Sequence, residues 1–278
     1  PALAEARGLD VRDLVKLDRV SAPLLTQDGR ILVFAERSLD FDSGKSKTAL
    51  YTRNLVTRDM GPPKRLTPAG RSVNSPALSP DGQTVYFLSG KNGSSQLYAM
   101  PISGGAPRQL TDVPVNIGSF QVSPDGARVA FSADTFGECG ADLGCTKRKL
   151  AERKDAKASG VVYDQLFVRH WDTWKDGTTS RLFVADLPAA RARPVTTVRA
   201  LGHALEGDIP SKPFGGADDY TWAPDGRSLV ASVKVAGREA PWSTNFDLYR
   251  IDALGEAAPV NLTAANPAWD AGPVFSPD

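Results

Sequence analysis

The sequence predicts an all-β fold, a β-propeller of four-stranded antiparallel blades, and three observations predict it. A turn motif recurs as Ser79-Pro80-Asp81-Gly82 and Ser123-Pro124-Asp125-Gly126, with the variants Thr26-Gln27-Asp28-Gly29 and Ala223-Pro224-Asp225-Gly226. Each of these is followed by an alternating apolar strand: Ile31-Leu32-Val33-Phe34, Val85-Tyr86-Phe87-Leu88, Val129-Ala130-Phe131 and Leu229-Val230-Ala231. The 25 Gly and 21 Pro of the 278 residues suit short strands joined by tight turns rather than a helical protein.

The turn motif has a physical reading. Pro presets φ at the second position, Asp bonds its own backbone, and Gly takes the positive φ that closes the hairpin. Two further landmarks follow each turn. One is a Leu-aromatic pair: Leu50-Tyr51, Leu97-Tyr98, Leu182-Phe183 and Leu248-Tyr249. The other is an apolar residue before Thr: Leu66-Thr67, Leu110-Thr111, Val195-Thr196 and Leu262-Thr263. A unit is then four short strands a to d, with the turn joining a to b, the Leu-aromatic pair on c and the apolar-Thr pair ending d. Four-stranded units recurring every ~40–50 residues read as propeller blades.

The elements follow in order. Asp10 can N-cap a short helix whose Val11, Leu14 and Val15 fall on one face and are expected to pack on the sheet edge. Blade 1 is placed at about 20–67, blade 2 at about 73–111, blade 3 at about 117–198 and blade 4 at about 218–263. Ser276-Pro277-Asp278 marks the first strand of a fifth blade over about 269–278. The interval from Asp125 to Asp225 is about twice the others. Asp176-Gly177 divides it, but too little chain separates Asp176 from Leu182 for a strand b. Blade 3 therefore carries an insertion over about 134–178, long enough to suggest a functional or regulatory role.

In an antiparallel blade the a–b turns lie on one face, and the b–c loops and blade connections lie on the other. Three unusual segments are thereby sent to the same face: the insertion, the connection from Gly202 to Tyr220, and the b–c loop from Glu239 to Asn245. Within the insertion, Cys139 and Cys145 are the only cysteines. They can close a small disulfide loop in an oxidising compartment, the alternative being two reduced thiols; a Gly-containing polar loop is a poor place to bury thiols. Thr146 to Ser159 is rich in Lys and Arg and reads as a solvated helix. His170, Trp171, Asp172 and Trp174 form a compact cluster that either lines a pocket or caps a blade edge as a structural hairpin.

Several classes are excluded or unsupported. Lys plus Arg is 33 against 32 for Asp plus Glu, a net charge of +1, which does not favour nucleic acid. No apolar run is long enough for a membrane-spanning helix. No Gly-x-Ser-x-Gly elbow, His-Glu-x-x-His, phosphate loop or Cys-x-x-Cys occurs, so no catalytic nucleophile, metal site or cofactor is assigned.

The blade-specific segments resemble a known family. Leu9-Asp10-Val11-Arg12-Asp13-Leu14-Val15, Arg169-His170-Trp171-Asp172-Thr173-Trp174, Gly207 to Gly216 and Trp242-Ser243-Thr244-Asn245-Phe246-Asp247 are similar to segments of prolyl oligopeptidase family serine peptidases. They resemble most the dipeptidyl peptidase V or acylaminoacyl-peptidase branch. The resemblance implies an N-terminal propeller that gates and binds peptide substrate for a C-terminal α/β-hydrolase domain carrying Ser, Asp and His. That domain is absent from this sequence, so the resemblance marks the chain as a partial propeller cut from a longer enzyme. It also implies a periplasmic or secreted location. An aminopeptidase needs a carboxylate for the substrate ammonium; Asp172, Asp218 and Asp219 are the candidates, with His170, Trp171, Trp174, Trp242 and Asn245 completing the substrate-binding set. Open sheet edges invite pairing with another chain, a homodimer included. The repeat by itself is also similar to periplasmic propellers of the TolB type, and a non-enzymatic protein-binding scaffold is the second reading.

Overall fold

The computed structural model describes residues 8–56, 61–158, 160–163, 166 and 168–276. It is mostly β, with four antiparallel four-stranded sheets. The first sheet has the order β1 (Arg19–Leu25), β2 (Ile31–Asp40), β3 (Lys45–Asn54) and β4 (Lys64–Arg65). The second runs β5 (Asn74–Leu78), β6 (Thr84–Ser89), β7 (Gln96–Pro101) and β8 (Arg108–Gln109). The third runs β9 (Phe120–Val122) and β10 (Arg128–Phe136), which pairs across an insertion with β13 (Thr178–Asp186), and then β14 (Arg199–Leu201). Within the insertion lies a two-stranded hairpin, β11 (Arg169–His170) and β12 (Thr173–Trp174). The fourth sheet runs β15 (Tyr220–Trp222), β16 (Ser228–Val233), β17 (Asp247–Asp252) and β18 (Val260–Asn261).

The four turns are built alike. Gly29, Gly82, Gly126 and Gly226 take φ of 66–69°, and each N–H donates to the carbonyl three residues back. The hydroxyls of Thr26, Ser79 and Ser123 donate to the carboxylates of Asp28, Asp81 and Asp125, which also accept the backbone N–H two residues on. These hydroxyl bonds are the first cause holding the three carboxyls below their ordinary range. The Thr landmark has its own use. Thr67, Thr111 and Thr263 accept the N–H of Leu50, Leu97 and Leu248 on their Oγ1 at 2.9–3.0 Å, satisfying a backbone donor that the short last strand leaves open.

The third sheet departs from the pattern. Its last strand is Arg199–Leu201, with Leu201 opposite Leu182. Val195 instead forms a parallel bridge with Thr111. A strand of two or three residues needs little beyond open backbone groups, so the side-chain landmark does not fix it. From Trp269 onward, the β pairing among the described residues is a parallel bridge of Trp269 with Phe246, their rings stacked at 5.1 Å; Pro277 and Asp278 lie outside the described residues.

The chain divides into two compact units, residues 1–91 with 98–108, and residues 92–97 with 109–278. The first has a core of Val33, Ala35, Leu50, Val85, Phe87, Tyr98 and Met100. In the second, Ala130, Leu182, Val184, Leu201, Ile209, Tyr220, Leu229 and Ile251 are buried together. Helix α1 (Val11–Lys16) is capped by Asp10, whose side chain accepts from the N–H of Arg12 and Asp13. The expected packing of its apolar face does not occur: Val11 and Leu14 are exposed and only Val15 is half-buried. The helix is six residues long and leads into β1, whose own Val20 and Leu25 are exposed as well.

Candidate functional site

All three unusual segments belong to the second unit. The insertion opens with a 3₁₀ turn, Gly137–Cys139, and α2 (Leu143–Asp155). Cys139 and Cys145 are joined in a disulfide. α2 is a solvated helix, with only Leu143 and Thr146 buried; Ser159 lies outside the described residues. The hairpin β11–β12 follows, with Arg169 opposite Trp174 and His170 opposite Thr173. Its two-residue tip is Trp171-Asp172, and Trp171 takes φ of +51°, a conformation a bulky residue seldom adopts. The tip thrusts the Trp171 ring outward, 74 % exposed. Trp174 stacks on Tyr163 at 6.0 Å and lies under the Arg169 guanidinium at 5.1 Å.

The second segment meets this tip. Phe214, 69 % exposed, stands 5.1 Å from the Trp171 ring and 5.8 Å from the His170 ring. His170 and Trp171 are themselves in edge contact at 5.3 Å. The loop that raises Phe214 contains cis peptide bonds before Pro210 and Pro213. It is fastened by Asp219, whose Oδ2 accepts both the N–H and the hydroxyl of Ser211 at 2.8 Å. Gly215 lies inside this knot, where a Cβ would overlap Asp219 Oδ2 and the Ser211 backbone.

The segment that carries Phe214 also carries a polar group, Asp208 and Lys212. Asp208 accepts the Ser180 N–H at 2.7 Å, and burial pushes its carboxyl above the ordinary range against the pull of Lys212 and Lys175. Lys212 pairs with Asp134 at 2.9 Å and donates to Thr178 Oγ1 at 3.0 Å. At Gly207 the second segment passes close to Lys234, where a Cβ would lie 2.7 Å from the Lys234 carbonyl. Burial, helped by Lys175, holds the Lys234 ammonium below the usual lysine range, and it donates to the Ala240 carbonyl at 2.8 Å.

The expected site residues are thus placed unevenly. His170 and Trp171 share one cluster with Phe214, Asp172 is exposed at the tip, and Asp218 is exposed on the second segment. Asp219 is engaged by its own loop. Trp242 is exposed on the third segment and, among the described residues, makes no ring contact with the Trp171 cluster; the Asn245 N–H donates to Ser243 Oγ. Sequence reasoning missed Phe214, Lys212 and Asp208. A lone aromatic in a Pro- and Gly-rich polar connection was the available signal for Phe214. Such an arrangement offers an exposed apolar wall on segments that also carry charged groups of both signs. Among the described residues no group of three His, Cys, Asp or Glu side chains could hold a metal, and no helix is long and apolar enough to cross a membrane.

Comparison with known proteins assigns the fold to a class. An acylaminoacyl peptidase solved with Z-Gly-Gly-Phe-chloromethyl ketone superposes with a TM-score of 0.60 at 15 % identity, over 91 % of this chain and 33 % of that one. The acylaminoacyl peptidase of Pyrococcus horikoshii gives 0.57 at 14 % identity, over 90 % and 33 %. The fold is therefore one found in part of these peptidases. Sequence relatives are more particular. Dipeptidyl-peptidase 5 of Porphyromonas gingivalis is 32 % identical over 263 residues, 94 % of this chain and 36 % of that protein. A probable dipeptidyl-peptidase 5 of Emericella nidulans is 24 % identical over 292 residues, 100 % of this chain and 39 % of that protein. The chain is a homologue of dipeptidyl-peptidase 5 proteins, as its blade-specific segments implied, and spans a little over a third of their length. No protein-family model matches it.

Proposed function

We propose that this chain is the substrate-gating and binding portion of a serine exopeptidase that releases dipeptides or short, including acylated, N-terminal units from peptides. The observation that carries this reading is the exposed Trp171–Phe214 contact at the hairpin tip, in a chain homologous to dipeptidyl-peptidase 5. Large aromatic rings are enriched where proteins bind partners, because they bring a broad apolar face with a polar edge. Under this reading the four sheets are blades of one β-propeller over about 20–67, 73–111, 117–198 and 218–263, with a fifth starting at about 269. The chemistry itself, acyl transfer to an activated Ser with an oxyanion hole, belongs to a partner α/β-hydrolase domain of the whole enzyme. The propeller narrows access to that site. Trp171, Trp174 and Trp242 form apolar walls with His170 and Asn245, and Asp172, Asp218 or Asp219 meets the substrate ammonium. The Cys139–Cys145 disulfide supports a periplasmic or secreted location.

The test is an assay of the complete gene product on free-amine and N-blocked peptide substrates, with Trp171→Ala beside the wild type. Expected is release of N-terminal units, with KM raised roughly tenfold and kcat kept within about twofold in the variant. A complete gene product with no peptidase activity overturns this reading in favour of a non-enzymatic binding scaffold. An unchanged KM removes Trp171 from the binding surface.

A further inference from the structure

The hairpin that carries His170 and Trp171 is held at its exit by Arg153, a residue outside the binding set proposed above. α2 is tied to the end of β10 by the Cys139–Cys145 bond and by Lys149, whose ammonium lies 2.8 Å from Glu138. From its last turn Arg153 lays its guanidinium 4.5 Å over the ring of Phe136, the buried last residue of β10. The same guanidinium donates through Nη1 to the carbonyl oxygen of Asp176. Asp176 is the exit of the hairpin. Its carboxylate accepts the N–H and the hydroxyl of Thr178 at 2.9 and 2.7 Å, and just before it the Lys175 N–H closes the hairpin on the Val168 carbonyl at 2.9 Å. Next to it Gly177 holds φ of +79°, and a Cβ there would lie only 3.2 Å from Arg153 Nη2. A planar guanidinium held by a ring on its face and a carbonyl at its edge is fixed in both directions, which a lysine ammonium cannot reproduce.

We propose that Arg153 is a positioning residue for the His170–Trp171 hairpin: by clamping the Asp176 carbonyl against Phe136 it sets the hairpin where its aromatic tip meets Phe214. The tip itself is largely solvent-facing, with Trp171 and Phe214 both exposed. A segment of that kind opens locally unless something outside it supplies the constraint.

Native-state hydrogen exchange on the complete gene product tests the clamp. Arg153→Ala should speed exchange of the Lys175 amide roughly tenfold, the scale of one lost charge-assisted hydrogen bond. Amides of the β10–β13 pairing, such as those of Phe131 and Phe183, should stay within about twofold. Arg153→Lys, which keeps a donor without the planar fork, should fall between the two. Exchange at Lys175 within about twofold of wild type in Arg153→Ala overturns the proposal, as does a speeding of all amides together. A second measurement rests on the function proposed above: in the complete gene product Arg153→Ala should raise KM and spare kcat. Faster hairpin exchange with an unmoved KM sustains the clamp and instead overturns the role of the hairpin in substrate binding.

Discussion

Phe131 on β10 and Phe183 on β13 are direct cross-strand partners, and their rings stack with centroids 5.7 Å apart and planes 22° apart. The pair repeats as Phe34 with Tyr51 at 5.8 Å and as Phe87 with Tyr98 at 6.0 Å. The aromatic of the Leu-aromatic landmark is thus one half of a stack whose other half lies in the strand after the turn. In the fourth sheet Ala231 faces Tyr249, and the stack is missing. Phe131 and Phe183 are both fully buried. Phe183→Ala should therefore cost about 3–5 kcal/mol in urea unfolding of this chain. A double-mutant cycle with Phe131→Leu and Phe183→Leu should return a coupling of about 0.5–1.5 kcal/mol. A coupling of zero would mean that the rings contribute by area alone.

Two glycines are needed for different reasons, and substitution separates them. Gly82 closes a turn at φ of +68°, and a Cβ there would lie an ordinary 3.7 Å from Thr26 Cγ2, so only the backbone conformation opposes a side chain. Gly82→Ala should cost about 1–2 kcal/mol. Gly215 has no such φ, but its Cβ would overlap the Ser211 backbone and the Asp219 carboxylate. Gly215→Ala must break the Ser211–Asp219 hydrogen bonds or shift the loop. Its cost should be larger, about 2–4 kcal/mol. It should also change near-ultraviolet circular dichroism, because Phe214 moves with the loop, whereas Gly82→Ala should leave that signal intact. Equal costs with identical spectra would contradict the steric reading of Gly215.

How far the sequence was legible follows from which interactions are local. The four turns could be read because Asp28, Asp81, Asp125 and Asp225 satisfy backbone donors two residues away, inside the motif itself. The strands after them are apolar as expected, but their burial does not alternate: β6 and β16 are buried at every residue after the first, so both of their faces are covered. Val195-Thr196 misled because a bridge to Thr111, distant in sequence, claims Val195 before the last strand of its own sheet begins. Nor was there a signal for the left-handed Ala22 and Ser75, which sit where β1 and β5 slip register against their neighbours. In the candidate site, His170 and Trp171 stood out because they are adjacent in the chain. Phe214 did not, since its contact with them spans the whole of β13 and β14. Arg153 was hidden in a run of charges that is otherwise solvated.

Asp208 offers a prediction in which pH decides the sign. Its Oδ1 accepts the Ser180 N–H at 2.7 Å, and burial raises its carboxyl pKa in the folded chain despite Lys212 and Lys175. As pH rises through the ordinary aspartate range near ~4, the unfolded chain releases this proton first. Between that point and the raised folded value the native state binds more protons, so its stability falls with rising pH. The contribution of this group is therefore full below the ordinary range and lost above the folded pKa. Asp208→Asn keeps the acceptor for Ser180 and removes the buried charge. At pH 7 the variant should unfold at a higher urea concentration than wild type, and the gap should close as the pH is lowered toward the ordinary aspartate range. A variant less stable than wild type at pH 7 would show that attraction to Lys212 and Lys175 outweighs the burial of the carboxylate. The charge would then be holding its part of the loop that carries Phe214, and not merely tolerated there.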